Sequence, residues 1–102
     1  MKVVLADEAE RDLEEIGDWI ARENPRRAVS FVVDLRECCL GLGEDPKRFQ
    51  VIARYTNADV RRRVHGAYLI FYVVGRDAVS IIRVLHGARD FEPLLFPGDQ
   101  PD

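Results

Sequence analysis

The chain has 102 residues, 47% of them hydrophobic, and a formal net charge of −3, which suits one domain with a single core. It offers no run of about 18 apolar residues for a membrane span, and acid arrives at Asp7, too early for a signal-peptide core. Its mild negative charge argues against indiscriminate binding to nucleic acid.

Charge is polarised along the chain. Residues 1–43 carry 6 Lys/Arg against 10 Asp/Glu, residues 44–90 carry 9 against 5, and the tail holds only acids. The basic half is therefore where a functional constellation is sought.

Lys2 to Ala6 reads as a short first strand. Asp7 and Glu10 have the spacing of a capping box. The positions Ala9, Leu13, Ile16 and Ile20 then mark one helical face, with Trp19 at its margin. Asn24-Pro25 closes this helix and opens a second, because Asn caps well and Pro suits the first helical turn. The second helix carries a stripe of Ala28, Phe31, Val32, Leu35, Cys38, Cys39 and Leu42, and ends at the Gly41 to Pro46 stretch. So short a link makes the two helices an antiparallel hairpin.

The two cysteines, Cys38 and Cys39, are adjacent, so no disulfide framework is available and both read as core or boundary thiols in a reducing cytoplasm. No other Cys or His lies at ligand spacing in sequence, which leaves no expected metal site and no expected cofactor.

Beyond Pro46 the periodicity changes from helical to alternating. Phe49 to Tyr55 is ambiguous between irregular chain and an edge strand. Val60 to Val64 alternates, His65-Gly66 turns, and Tyr68 to Val74 is apolar throughout, as in a central strand covered on both faces. Gly75 to Asp77 turns again before a last strand from Val79 to His86. The expected fold is α+β, in the order β-α-α-β-β-β: an antiparallel sheet packed against an N-terminal helical hairpin, with the first strand joining that sheet. Residues 1–96 form the domain and 97–102 a flexible tail, with Phe91, Leu94, Leu95 and Phe96 available to dock as a short helix.

Several enzymatic patterns are missing. The glycines sit at scattered turns and make no phosphate loop, and Ser30 and Ser80 lack an elbow motif. The acids of the first helix (Glu10, Asp12, Glu14, Glu15, Asp18) suit a solvated face. The basic residues remain. Arg61 and Arg63 share one face of a strand with Arg62 opposite, Arg83 is set in an apolar strand beside Ile81 and Leu85, and His86 aligns with Val84 and Ile82. Such a group could grip phosphates, with the histidine as general acid in RNA cleavage. Alternatively the strand arginines solvate an open face and pair with acids, and the histidine is a structural hydrogen bonder. An arginine inside so apolar a strand needs an assigned partner in either case.

Taken together, the helical opening around Ala9, Asp12-Leu13 and Ile16, then Asn24-Pro25 with Ala28, Phe31 and Leu35, and the strand motifs Gly66-Ala67-Tyr68-Leu69-Ile70-Phe71-Tyr72 and Ile82-Arg83-Val84-Leu85-His86-Gly87-Ala88-Arg89-Asp90 resemble the ParE branch of the ParE/RelE toxins. These are the toxic halves of bacterial type II toxin–antitoxin pairs. The resemblance runs from about residue 3 to residue 91 and implies a cytoplasmic toxin in a hetero-oligomeric complex with a cognate ParD-like antitoxin. The ParE branch inhibits DNA gyrase, whereas RelE-like members cleave messenger RNA on the ribosome. For cleavage, Arg63, Arg83 and His86 would be the catalytic candidates. Against it, Gly87 follows His86 where a tyrosine would serve, Lys47 is the only lysine of the basic half, and Glu44 and Asp45 are loose candidates for a base. The resemblance thus implies gyrase inhibition by protein–protein contact, with no direct sequence-specific nucleic-acid binding. Candidate antitoxin contacts are Trp19, Phe31, Arg61, Arg62 and Arg63; candidate target contacts are Arg83, His86 and Arg89.

Overall fold

The computed structural model describes residues 1–55, 58–88 and 90–95. Strand β1 (Lys2–Leu5) leads into helices α1 (Asp7–Ala21) and α2 (Pro25–Leu40), followed by a 3-10 turn at Gly41–Gly43. Strands β2 (Val51–Tyr55), β3 (Ala58–His65), β4 (Tyr68–Val74) and β5 (Ala78–His86) come next, then a single-turn helix α3 (Glu92–Leu95). The α+β class, the helical hairpin and the antiparallel run of later strands agree with the sequence reading. The ambiguous segment is resolved as the edge strand β2. The expected tail at 97–102 lies outside the described residues.

The five strands form one sheet in the order β1-β5-β4-β3-β2. Neighbours from β2 to β5 are antiparallel, but β1 runs parallel to β5, so the sheet is mixed rather than wholly antiparallel. The reason is topological: β1 is separated from β5 by the helices and three strands, and no hairpin turn dictates its direction. The β1 pairing covers only Ala78 to Ile81 of β5. From Ile82 onward the outer edge of β5 faces α1 instead.

Both helices cover one face of the sheet. Ala9, Leu13 and Ile16 of α1 and Leu35 and Cys39 of α2 form the main core with Ile70, Tyr72, Val79, Ile81 and Val84. Gly17 allows close approach of the helices, since a β-carbon there would stand 3.1 Å from Val32 Cγ2. On the opposite face Val60, Leu69, Phe71 and Leu85 make a second cluster, covered by Phe91, Leu94 and Leu95. The Phe71 and Phe91 rings lie 4.9 Å apart. Cover on both faces is why β4 reads as apolar at every position.

Local signals fared unevenly. Asn24 caps α2 as expected, its Oδ1 accepting from the Arg27 backbone N–H at 3.1 Å. Asp7 does not cap α1: the N-cap is Ala6, which makes no side-chain cap bond. Asp7 lies within the first turn, where acids favour the helix dipole. Glu10, expected to reach back to the cap, instead accepts two bonds from Arg36 of α2 at 2.9 and 2.7 Å. Gly66 turns β3 into β4 at φ +60°, a conformation that glycine adopts without strain.

One further departure reshapes the candidate site. Phe71 faces Arg83 across β4–β5, whereas Tyr72 faces Ile81, so Ile82 is an extra residue in β5. The bulge breaks the simple alternation. Ile81 and Val84 join the helix-side core, Ile82 and Leu85 the opposite cluster. Arg83 therefore does not share a face with both Ile81 and Leu85, nor His86 with both Val84 and Ile82.

Among the described residues no helix is long and apolar enough to cross a membrane.

Candidate functional site

Where β1 stops pairing, the outer edge of β5 presents unpaired backbone groups. Asp12 of α1 occupies that position. Its Oδ2 accepts from the Val84 backbone N–H at 2.9 Å and from Arg83 Nε at 2.8 Å, while Oδ1 accepts from Arg83 Nη2 at 2.9 Å. Asp12 is only 4% exposed. Its carboxylate thus completes a strand edge and neutralises a half-buried guanidinium through a bidentate fork. Donating to the Asp12 carboxylate strengthens the hold of Arg83 on its proton and raises its pKa above the ordinary arginine value. Arg83 has the assigned partner that its apolar surroundings require.

Beside this clamp, α1 and the end of β5 enclose a groove of about 480 Å³. Glu15, Ile16 and Trp19 form its helix wall, and Tyr68, Val84, Leu85 and His86 its strand wall. Trp19 is 65% exposed, with the Arg22 guanidinium 5.4 Å from its ring centre. His86 Nδ1 accepts the Ala88 backbone N–H at 3.1 Å, which assigns the neutral ring's proton to Nε2.

The sheet end next to the groove is an aromatic row. His65, Tyr68 and His86 are directly opposed on β3, β4 and β5. Tyr68 meets His86 edge-on at 5.3 Å and Phe31 of α2 at 5.4 Å. Neither Tyr68 nor His65 stood out in the sequence as a site residue. The His65-Gly66 turn was the available signal, since a hairpin there sets its flanking residues opposite each other.

The remaining arginines serve the other edge of the sheet. Arg61 donates through Nη1 to the carbonyls of Lys47 and Phe49 at 3.0 and 2.7 Å. Arg63 donates to the Cys38 carbonyl at 3.0 Å and lies 5.1 Å from the Phe49 ring centre. Both therefore hold the segment before β2 against the helices and sheet, as does Tyr72, whose hydroxyl donates to the Pro46 carbonyl at 2.6 Å. Arg62 is on the opposite face, across from Phe71, and is half-buried. Phe31 is half-buried beneath the Arg27 guanidinium at 4.9 Å. Arg89 lies outside the described residues.

The three residues proposed for RNA cleavage do not converge. Arg83 is turned to Asp12 and His86 to the α1 groove, while Arg63 lies beyond β4 in a separate cleft beside α2. No group of three or more His, Cys, Asp or Glu side chains among the described residues could hold a metal ion.

Comparison with known proteins accords with this architecture. Residues 3–91 match the family model described as ParE toxin of type II toxin-antitoxin system, parDE. No curated protein sequence matches the chain. Among solved structures, the fold is similar to a chain of the chromosomal ParDE toxin–antitoxin system from P. aeruginosa, with a TM-score of 0.71 and 17% identity, over 84% of this chain and 95% of that one. It is also similar to a chain of the toxin–antitoxin complex RelBE2 from Mycobacterium tuberculosis, with a TM-score of 0.62 and 25% identity, over 86% and 92% respectively. With a family match over residues 3–91, the chain belongs to the ParE toxin family of type II toxin–antitoxin systems.

Proposed function

We propose that this toxin inhibits DNA gyrase by protein–protein contact in the bacterial cytoplasm and is neutralised by a cognate ParD-like antitoxin. The observation that supports this over hydrolysis is the separation of Arg63, Arg83 and His86, with both arginines held by Cys38 and Asp12. General acid–base chemistry needs its groups within hydrogen-bond reach of one reacting centre. A toxin that works by docking has no such requirement.

The groove between α1 and β5 is the favoured antitoxin contact. It combines an exposed indole with an apolar strand wall of Tyr68, Val84 and Leu85, beside the β5 edge that Asp12 closes at Val84. A helical antitoxin segment can lay an apolar face into this groove. Arg61 and Arg63 are engaged by backbone carbonyls, so of the strand arginines Arg62 is the better candidate for a charge pair with an acidic antitoxin.

The test is a supercoiling assay with purified toxin. Inhibition accompanied by accumulation of cleaved DNA in complex with gyrase is expected. Unchanged supercoiling with no cleaved complex would overturn the reading.

One observation favours ribosome-dependent RNA cleavage as the second reading: His86 lines an open groove with its Nε2 proton free of the Nδ1 bond. Expression of His86→Ala separates the two. Full growth inhibition by the variant excludes an essential acid at His86, and survival with a purified variant that still inhibits gyrase supercoiling supports cleavage.

A further inference from the structure

Cys38 and Cys39 are neighbours in sequence with opposite surroundings. Cys39 is fully buried in the main core, and desolvation pushes its thiol up to about 12. Cys38 is half-buried and lines a cleft of about 480 Å³ between α2 and β3, where Arg48 and Arg63 face the acids Asp34, Glu37 and Glu44. Its Sγ stands 3.3 Å from Nδ1 of His65. In the His65 tautomer protonated at Nε2, Nδ1 is the acceptor for the thiol proton. The imidazole is seated against Phe31, with ring centres 6.1 Å apart.

A nucleophile within hydrogen-bond reach of a base, on the wall of an open cleft, is the arrangement of an activated thiol. We propose that Cys38 is a covalent modification site, activated by His65, for low-molecular-weight disulfides. In the step, His65 Nδ1 takes the Sγ proton and the thiolate attacks one sulfur of the disulfide. A new Cys38 S–S bond forms and the original S–S bond breaks. The departing thiolate recovers the proton from His65, so Cys38 is oxidised as half of the reagent is reduced to a thiol.

Cys39 cannot resolve this adduct. Consecutive Cα atoms lie about 3.8 Å apart, short of the roughly 4.4–6.8 Å that a disulfide spans, and both residues sit within α2. The product is therefore a mixed disulfide, projecting from Cys38 into the cleft that Arg63 also lines. The inference concerns a cleft separate from the α1 groove and does not depend on the toxin's target.

The test treats the native full-length chain with dithiodipyridine at neutral pH and maps the adduct by peptide mass. Expected is one equivalent on Cys38, formed at least about tenfold faster than with free glutathione, and no label on Cys39 until denaturation. His65→Gln should slow the native reaction by about tenfold or more, within the usual range for removing a general base, with an unchanged melting temperature. A wild-type rate no faster than glutathione, or labelling at Cys39 first, overturns the proposal even if the variant fails to fold. An unchanged rate in a folded variant also overturns it.

Discussion

At the scale of single residues, the two cysteines show how little a side chain's type says without its neighbours. Sequence spacing leaves Cys38 without a partner, because the nearest histidine is 27 positions away. The fold then places that histidine in contact. Cys39 gives the opposite outcome, a thiol sealed in the core where its charged form is penalised. Because the folded pKa is raised above the ordinary 9.0, its contribution is fully present below pH 9 and is lost as pH rises towards 12. Buried Tyr72, whose pKa is also raised, chiefly by desolvation, acts in the same direction at alkaline pH. Urea denaturation at intervals from pH 8 upward should show a decline in stability that Cys39→Ala flattens. Parallel curves for the two proteins would refute that origin. Glu10 is different: its bonds to Arg36 lower its pKa, but the pair is about half exposed and solvent screening leaves it a small role.

At the scale of elements, helix faces, the α2 cap and the strand meander were legible because they depend on contacts between residues close in the chain. The face of Ala9, Leu13 and Ile16 follows from helical period alone. Two features escaped. The bulge at Ile82 has no marker, since Ile81 and Ile82 suit either side of a sheet buried on both faces. Asp12 looked like one of several solvated acids on α1, yet it is the acid that closes the β5 edge. The deciding factor was the length of β1, which stops at Leu5 and leaves Val84 to find another acceptor. Removing Asp12 strands both a half-buried guanidinium and a buried N–H. Asp12→Ala should therefore lower unfolding stability by about 3 kcal/mol. Adding Arg83→Met should recover part of the loss, because the unpaired charge is gone. Urea titration of both variants checks this; a single-variant loss below about 0.5 kcal/mol would show that the clamp is dispensable.

At the scale of the whole molecule, a mixed sheet carries apolar cover on both faces, and α1 meets the strand edge at a groove. This joins Trp19 to Tyr68 and His86, which are remote in sequence. A largely exposed indole at the rim has the character of a binding hot spot. Trp19→Ala should weaken the complex with the cognate antitoxin by about 2 kcal/mol, roughly thirtyfold in Kd, with little change in the toxin's own melting temperature. Titration calorimetry on the pair measures it, and unaltered affinity would place the antitoxin elsewhere.

By itself the sequence determined the α+β class, the helical hairpin, the central position of β4 and the family resemblance, since periodicity, caps and short motifs are local properties. Only the tertiary structure decided that β1 runs parallel to β5, that Arg83 answers to Asp12, that Arg63 and His86 occupy separate clefts, and that Cys38 meets His65. Each of these joins segments whose approach is set by strand order and by where one strand ends, and no local pattern records either.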